Sequence, residues 1–272
     1  YNFSLTIKKN ANKKRNMKVV ILAGGLGTRL SEETVERPKP LVEIGGKPVL
    51  WHIMKIFSSY GMNEFIICCG YKGIQIKEYF KNYAMRNADV EFDLAENSST
   101  IKKRSSENWK VTCVDTGDST LTGGRLKRVR DYLNPDEPFF FTYGDGVGDI
   151  NIKALVDLHK KNKKLATVTA VSPPGRFGVL NIDNESVLNF SEKPSEGTTW
   201  INGGYFLLEP QVIDYIDGDM ISWEEEPIKK ITAENQLNVY KHSGFWQPMD
   251  TLQEKKMLNE LYEKDLAPWK IW

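Results

Sequence analysis

The sequence predicts an α/β fold with a mostly parallel sheet and helices on both of its faces. Short apolar runs alternate along the chain with segments whose apolar residues recur at helical spacing. Hydrophobic residues make up 40% and charged residues 27% of the chain, which is typical of a protein with a packed core. Because crossovers join strands that alternate with helices, such strands favour parallel pairing. We therefore expect a Rossmann-like core and a smaller β-rich extension.

The elements of this core follow in order from residue 18. The run "KVVILA" predicts the first strand, and "PVLWHIMKIFSSYG" predicts a helix that stops at Gly61. Further strands are expected at "NEFIICCG", "PFFFTYGD" and "LATVTAV", and further helices at "IQIKEYFKNYA" and "IKALVDLHKKN". Shorter strands follow after about residue 176, at "RFGVLNI", "VLNFSEKP" and "WINGGYFLL". The segment "MDTLQEKKMLNELYEKD" predicts a last, amphipathic helix.

Composition divides the chain into a terminal segment and one domain. Residues 1–16 are basic and lack a long apolar stretch, so we expect an extension or a tag that is disordered. A polar, charged stretch near 91–115 is expected to form an exposed loop or a small lobe. Residues 17–272 are predicted to form a single domain, with a core at 17–175, a β-rich part at 176–250 and a C-terminal helix and tail at 251–272.

Charge and cysteine content exclude several classes of function. The formal net charge is +1, whereas a general nucleic-acid binder is usually clearly basic, so we expect no nucleic-acid partner. The longest apolar run is too short to span a membrane. The chain has three cysteines, an odd number, and two of them are adjacent, which does not indicate a disulfide framework. A reducing, cytoplasmic location is therefore expected.

A glycine-rich segment, Gly24 to Arg29, directly follows the first strand. Glycines in such a turn let backbone N–H groups point inward and bind an anion, so phosphate is the expected ligand. The segment lacks the Gly-Lys-Ser/Thr of a Walker loop, and Leu30 stands where the dinucleotide fingerprint has its third glycine. From the glycines alone, a purely structural turn is as good an interpretation as a ligand site.

Two basic residues favour the ligand interpretation. Arg29 lies just beyond the glycines, where its guanidinium is suited to phosphate oxygens. Lys39 stands between Pro38 and Pro40, which stiffen the backbone and exclude it from a helix. A lysine held in this way presents a point charge at a fixed place, although a solvated surface lysine would be the default interpretation if it stood alone.

Two aspartates are candidates for a metal site. Asp145 follows an apolar strand and lies between two glycines, which places it where parallel sheets bind ligands. Mg²⁺ prefers a few carboxylate oxygens together with water and substrate phosphates, so Asp145 is the first candidate ligand and a turn residue is the alternative. Asp149 is a rival candidate for the metal, but its place before "IKALVDL" favours a cap of the following helix. For Asp250 the sequence alone favours a cap of the last helix.

Several stretches together resemble one family, the sugar-1-phosphate nucleotidylyltransferases or nucleotide-sugar pyrophosphorylases. The resemblance runs from Met17 to the last residue and is clearest at "LAGGLGTRL" and "PKPLVEIGGKPVL". Many relatives have a proline shortly after the Arg-Leu of the first motif, where this chain has "SEET". The chain is most similar to members that transfer a cytidylyl group from CTP to α-D-glucose 1-phosphate. That similarity lies in "FIICCGYKG", "VDTGDSTLTGGRLKRV", "FTYGDGV", "PPGRFG", "EKP", "INGGYF", "FWQPMDTLQEK" and "APWKIW".

The resemblance implies a reaction, a cofactor and a set of site residues. CTP and glucose 1-phosphate would give CDP-glucose and pyrophosphate, with Mg²⁺ held by Asp145 and Asp250, in a homo-oligomer that serves surface-polysaccharide synthesis. Arg29 and Lys39 would be catalytic together with the two aspartates. The implied nucleotide contacts are Leu22, Ala23, Gly24, Gly25, Gly27, Thr28, Arg29, Lys39, Thr120, Arg125 and Gly144. The implied sugar-phosphate contacts are Glu192, Lys193, Asn202 and Gly203.

Three alternatives remain open from the sequence. The same chemistry is possible with dTTP or UTP, because nothing in the spacing of residues specifies cytosine. A non-catalytic sensor of nucleotide sugars would use the same fold, although the charged residues of the predicted site are all present. A nicotinamide-dependent oxidoreductase is disfavoured by Leu30.

Overall fold

The computed structural model describes residues 17–25, 27–104, 107–173, 179–183, 186–191 and 199–272. The strands are β1 (Val19–Ala23), β2 (Glu43–Ile44), β3 (Lys47–Pro48), β4 (Glu64–Cys69), β5 (Ala88–Asp93), β6 (Ser98–Arg104), β7 (Lys110–Asp115), β8 (Phe139–Tyr143), β9 (Gly146–Gly148), β10 (Ala166–Val171), β11 (Val179–Asp183), β12 (Ser186–Ser191), β13 (Ile201–Leu208), β14 (Leu237–His242) and β15 (Trp246–Pro248). The α-helices are α1 (Ser31–Thr34), α2 (Val49–Ser59), α3 (Gly73–Lys81), α4 (Tyr83–Arg86), α5 (Thr122–Arg128), α6 (Ile152–Asn162), α7 (Glu226–Ala233) and α8 (Leu252–Glu263). Short 3-10 segments lie at Thr28–Leu30, Lys39–Leu41, Arg130–Tyr132 and Pro210–Tyr215.

A seven-stranded sheet in the order β14-β10-β13-β8-β1-β4-β7 forms the centre of the fold. The pairs β8-β1, β1-β4, β4-β7 and β10-β14 are parallel, and only β13 runs antiparallel to both of its neighbours in this sheet. All five residues of β1 are buried, as expected for a central strand covered on both faces. The predicted α/β fold with a mostly parallel sheet is therefore confirmed.

Helices cover both faces of this sheet and create two apolar cores. Alternate residues of β1 point to opposite faces, so Val19 and Ile21 lie in one core and Val20 lies in the other. The first core also contains apolar residues of α2, α3, α6 and α8, whereas the second contains residues of α5 and α7. Segments that the sequence marks as helical therefore bury their apolar side against the sheet.

The stretch near 91–115 differs from the sequence-based expectation. Its first part belongs to an antiparallel hairpin of β5 and β6, which forms a separate two-stranded sheet. Its last part, Lys110–Asp115, is not an insertion but the edge strand β7 of the central sheet. Because an edge strand has one strand partner and is partly exposed, it carries polar residues that make it resemble a loop in the sequence.

The chain after residue 176 is also organised differently from a simple β-rich extension. Strand β13 lies inside the central sheet, between β10 and β8, and β14 forms its other edge. A helix, α7, lies between these two strands in the sequence. The hairpin of β11 and β12 remains as a small separate sheet. None of the helices in the described ranges is long and apolar enough to cross a membrane. Residues 1–16 lie outside the described ranges.

Candidate active site

A cleft of about 760 Å³ opens at the carboxyl ends of β1 and β8. The two strands are paired in register with Leu22 opposite Tyr143, so the glycine segment and Gly144 leave the sheet side by side. This is the edge at which parallel sheets bind ligands. Fourteen of the residues predicted for the site line the cleft: Leu22, Ala23, Gly24, Gly25, Gly27, Thr28, Lys39, Thr120, Arg125, Gly144, Asp145, Asn202, Gly203 and Asp250.

Two glycines of the first loop are required by the backbone itself. Gly27 has a φ of +66°, a left-handed conformation that side chains disfavour. At Gly24 a Cβ atom would lie 2.2 Å from Nη1 of Arg125, so any larger residue would displace that guanidinium. The segment is therefore a closely packed turn that also lines the cleft, and its binding of phosphate stays a prediction.

Arg125 supports the floor of the cleft. It is 5% exposed, and its guanidinium donates to the carbonyl oxygens of Gly24 at 3.1 Å and Gly117 at 2.7 Å. It also donates to Thr116 Oγ1 at 2.8 Å and to the carbonyl of Asp118 at 3.1 Å. Burial lowers the pKa of Arg125 below its usual value. The arginine thus joins the glycine segment to the loop that follows β7, while its predicted contact with nucleotide remains a prediction.

Lys39 lies between the two candidate metal-binding aspartates. Its Nζ atom is 2.6 Å from Asp145 Oδ2 and 2.5 Å from Asp250 Oδ1, and its side chain is 11% exposed. Burial lowers the pKa of Lys39, but the charges of the two carboxylates and their hydrogen bonds raise it by more, so the net pKa is above its usual value. The lysine is therefore a fixed positive charge at neutral pH.

Strand pairing explains why two aspartates so distant in sequence meet here. Strands β9 and β15 are antiparallel, with Gly146 opposite Pro248. The backbone N–H of Met249 donates to the carbonyl of Asp145 at 2.9 Å. Each aspartate stands just beyond this ladder, so both carboxylates come to one side of the cleft.

The cap of α8 is formed by the residue after Asp250. Thr251 Oγ1 accepts from the backbone N–H of Glu254 at 3.2 Å, and Glu254 Oε2 accepts from that of Thr251 at 2.9 Å. This reciprocal capping box holds the first turn of the helix. The interpretation of Asp250 as the helix cap is therefore wrong, since its carboxylate contacts Lys39 instead.

The interpretation of Asp149 as a helix cap is wrong for a similar reason. Asn151 caps α6, since its side chain accepts from the backbone N–H of Ala154 at 3.0 Å. Asp149 Oδ1 lies 3.0 Å from Nε2 of His242. The carboxylate of Asp149 therefore pairs with His242, whereas Asp145 and Asp250 both contact Lys39.

The donor set at Lys39 suits a magnesium ion. Asp145 and Asp250 place carboxylate oxygens around a single positive charge, here the ammonium of Lys39. Among the described residues no group of three or more histidine, cysteine, aspartate or glutamate side chains could hold a metal ion. Mg²⁺ is commonly held by one or two carboxylates with water and substrate phosphates, so a pair of aspartates is sufficient.

Residues 18–250 match a family model described as nucleotidyl transferase. The chain belongs to the nucleotidyl transferase family. Glucose-1-phosphate cytidylyltransferase of Salmonella typhi is 58% identical to this nucleotidyltransferase over 256 residues, which are 94% of this chain and 100% of that protein. Probable glucose-1-phosphate cytidylyltransferase of Bacillus subtilis (strain 168) is 43% identical over 258 residues, again 94% and 100% of the two chains.

Solved structures agree with the fold of this nucleotidyltransferase. The crystal structure of HddC from Yersinia pseudotuberculosis superposes with a TM-score of 0.66 at 25% identity, and covers 90% of this chain and 99% of that one. UDP-glucose pyrophosphorylase complexed with UDP-glucose gives a TM-score of 0.64 at 16% identity, with coverage of 92% and 100%. The second comparison supports the fold alone, because its identity is low.

Strand β13 contributes Asn202 and Gly203, two of the residues predicted to contact the sugar phosphate, to the lining of the nucleotidyltransferase cleft. Asn202 Oδ1 accepts from the backbone N–H of Gly204 at 2.8 Å, and Trp246 Nε1 donates to the carbonyl of Gly203 at 2.8 Å. Trp246 thus forms a wall of the cleft. Glu192 and Lys193 lie outside the described residues. Arg29 belongs to the 3-10 turn Thr28–Leu30, and its side chain lies outside the described part of the structure.

Sequence reasoning missed several residues that line the cleft. Tyr143 is one of them, although it stands beside Gly144 at the end of β8. Its position just before a candidate metal ligand was a signal that could have identified it. Asp118, Ser119 and Ser222 also line the cleft, but short polar residues in turns carry no distinguishing pattern.

Proposed function

We propose that this nucleotidyltransferase transfers the cytidylyl group of CTP to α-D-glucose 1-phosphate and produces CDP-glucose and pyrophosphate. The observation that carries the choice of substrates is the 58% identity to glucose-1-phosphate cytidylyltransferase of Salmonella typhi over the full length of that protein. The charged groups at Lys39 support the chemistry, because they place one cation and two carboxylates beside the glycine segment.

The glycine segment and Arg29 bind the triphosphate in this proposal. Backbone N–H groups of Gly24 to Gly27 provide donors for phosphate oxygens, and the guanidinium of Arg29 adds a charge that stabilises the leaving pyrophosphate. Thr120, which lines the same cleft, is assigned a contact with the nucleotide. Leu22, Ala23, Thr28 and Gly144 complete the nucleotide contacts.

The reaction is a single in-line displacement. A phosphate oxygen of glucose 1-phosphate attacks the α-phosphorus of CTP, and the bond from that phosphorus to the pyrophosphate oxygen breaks on the opposite side. Positioning and charge stabilisation account for most of the catalysis in such transfers, and no side-chain nucleophile is needed. Lys39 neutralises negative charge at the α-phosphate. Asp145 and Asp250 would hold Mg²⁺, which when bound would screen the phosphate charges.

The remaining predicted residues bind the sugar phosphate. Lys193 holds the phosphate that attacks, and Glu192 is placed near sugar hydroxyl groups. Asn202 and Gly203, which line the cleft, offer further polar groups. Together these contacts orient the attacking oxygen toward the α-phosphorus.

A nucleotide panel tests this proposal directly. Pyrophosphate release would be measured with glucose 1-phosphate, Mg²⁺ and each of CTP, dTTP, UTP, ATP and GTP in separate reactions. Release with CTP alone is expected. Release with dTTP or UTP would retain the mechanism and overturn the assignment of cytidine, and no release with any nucleotide would favour the alternative of a nucleotide-sugar sensor.

We also propose that the enzyme works as a homo-oligomer in the cytoplasm. Exposed apolar side chains on the β5-β6 hairpin, such as Phe92 at 58% and Leu94 at 90% exposure, support self-association. Three free cysteines suit a reducing compartment. Light scattering on the purified protein would test the first statement, since a monomer at all concentrations would contradict it.

A further inference from the structure

The carboxylate of Glu224 accepts hydrogen bonds from three hydroxyl groups at one end of the cleft. Its Oε1 atom accepts from Tyr143 Oη at 2.5 Å, and its Oε2 atom accepts from Thr122 Oγ1 at 2.6 Å and Ser222 Oγ at 2.9 Å. Tyr143, Thr122 and Ser222 all line the cleft, whereas Glu224 lies behind them. Hydrogen bonds to a carboxylate are stronger than those between neutral groups, so this cluster fixes the hydroxyl positions.

The segment that carries Glu224 is itself rigidly held. Trp223 is fully buried, and its backbone N–H donates to Thr122 Oγ1 at 2.9 Å. The absence of a side chain at Gly124 lets the backbone of this segment approach α5, since a Cβ atom there would lie 2.3 Å from the carbonyl oxygen of Asp219. The carboxylate of Glu224 is therefore placed by close backbone packing.

The hydroxyl group of Tyr143 links Glu224 to Asn202 through two hydrogen bonds. Because the hydroxyl hydrogen of Tyr143 is donated to Glu224, its oxygen is left to accept, and it accepts from Asn202 Nδ2 at 3.2 Å. The other end of that amide accepts from the backbone N–H of Gly204.

We propose that Glu224 and Tyr143 are positioning residues that orient the side-chain amide of Asn202 toward glucose 1-phosphate. This inference rests on the proposed function, because it concerns how the same cleft recognises the sugar phosphate. Asn202 has its amide nitrogen directed at Tyr143 and its oxygen at Gly204, so the hydrogen and lone pair that remain are offered to the cleft in one arrangement. Without the Tyr143 hydroxyl, Asn202 Nδ2 loses its acceptor. The side-chain amide then has no contact with Tyr143 that favours this orientation over the one in which its oxygen and nitrogen are exchanged.

The test is a double-mutant cycle with Tyr143→Phe and Asn202→Ala. Tyr143→Phe keeps the ring and removes the hydroxyl alone. We expect it to raise the KM for glucose 1-phosphate about tenfold, the effect of losing one hydrogen bond, and to change the KM for CTP much less. If Tyr143 acts through Asn202, the double variant has about the same KM as Asn202→Ala.

A matched control exists elsewhere in the chain. Tyr215 donates to Glu234 Oε2 at 2.5 Å, a contact of the same chemistry on the surface. Tyr215→Phe is expected to leave both KM values unchanged. Glu224→Ala should raise the KM for glucose 1-phosphate as Tyr143→Phe does, and Glu224→Gln, which keeps the shape and one acceptor oxygen, should recover part of the loss.

The outcomes separate this inference from the proposed function. Direct binding of glucose 1-phosphate, measured by calorimetry on each variant, accompanies the kinetics. A wild-type enzyme that uses glucose 1-phosphate while Tyr143→Phe keeps the wild-type KM overturns the inference alone. Additive effects of the two substitutions also overturn it, because Tyr143 would then act independently of Asn202. A wild-type protein that neither binds nor uses glucose 1-phosphate overturns both statements.

Discussion

At the scale of single residues, the cleft depends on an ammonium group held between two carboxylates. Lys39 pairs with both Asp145 and Asp250, and partial burial makes each of these three charges costly without its partners. The same lysine is assigned to the α-phosphate during catalysis. These two roles give two separate predictions.

Lys39→Ala should lower turnover strongly. If the ammonium stabilises charge at the α-phosphate as a single oxyanion donor does, its loss raises the barrier by about 2.7–4 kcal/mol. Pyrophosphate release under saturating CTP and glucose 1-phosphate measures this effect. Lys153→Ala is the control, because that lysine is exposed and its partner Asp157 lies on the same helix. An unchanged kcat for Lys39→Ala would contradict the catalytic role.

Lys39→Met should increase the affinity of the free enzyme for a divalent cation. Its ammonium competes for the same carboxylate oxygens, so an apolar side chain of similar length leaves Asp145 and Asp250 to the metal. Electron paramagnetic resonance of free Mn²⁺, in the absence of nucleotide, measures binding without any turnover. Lys255→Met removes another partly buried lysine that pairs with a carboxylate, Glu33, and should change nothing. Equal affinity in wild type and Lys39→Met would count against the aspartate pair as the metal site.

The sequence predicted which residues line the cleft better than it predicted what they do. Lys39 and Asp145 were identifiable because their neighbours, proline and glycine, restrict the backbone. The partners of Arg125 were not, since most of them are backbone carbonyls, of the glycine segment and of the loop after β7. Asp250 was misinterpreted because two adjacent residues, Asp250 and Thr251, are both good helix caps, and only the path of β15 decides between them.

At the scale of elements, a substitution at the start of α8 should lower the stability of the protein and leave its catalytic rate unchanged. Thr251→Ala removes one half of the capping box and should lower the free energy of unfolding by about 1 kcal/mol. Turnover should stay close to that of the wild type, because Thr251 does not line the cleft and Asp250 is held by the β9-β15 ladder. Chemical denaturation and steady-state kinetics on one preparation measure both. A large loss of turnover would mean that the cap also positions Asp250.

The strands of the central sheet differ in how well the sequence predicts them. Buried strands such as β1, β4 and β8 are continuous apolar runs, so the sequence marks them directly. Strand β13 ends in a similar apolar run, but its antiparallel place between β10 and β8 depends on contacts far apart in the chain. The edge strand β7 is polar enough to resemble a loop. Strand order and edges are tertiary properties that local sequence does not carry.

At the scale of the whole molecule, His52 connects segments that are far apart in the chain. It is fully buried on α2, and its Nε2 lies 2.9 Å from the carbonyl oxygen of Ile44. Trp269, in the C-terminal tail, donates from Nε1 to His52 Nδ1 at 3.4 Å. These partners require a neutral ring that donates at Nε2 and accepts at Nδ1. The tail therefore docks on the uncharged form of His52.

Acid should lower the stability of the fold through His52. Burial lowers the pKa of His52 to about 4, from about 6.5 in an unfolded chain, so the unfolded state binds the proton more readily between these values. Stability consequently falls as the pH drops, and His52 contributes a loss of about 2 kcal/mol between pH 7 and pH 5. The measurement is the difference in free energy of unfolding between wild type and His52→Gln at each pH. Groups that titrate alike in both proteins cancel in this difference. The difference in free energy of unfolding should therefore fall by about 2 kcal/mol between pH 7 and pH 5. A difference that does not vary with pH would show that the fold does not hold the ring neutral.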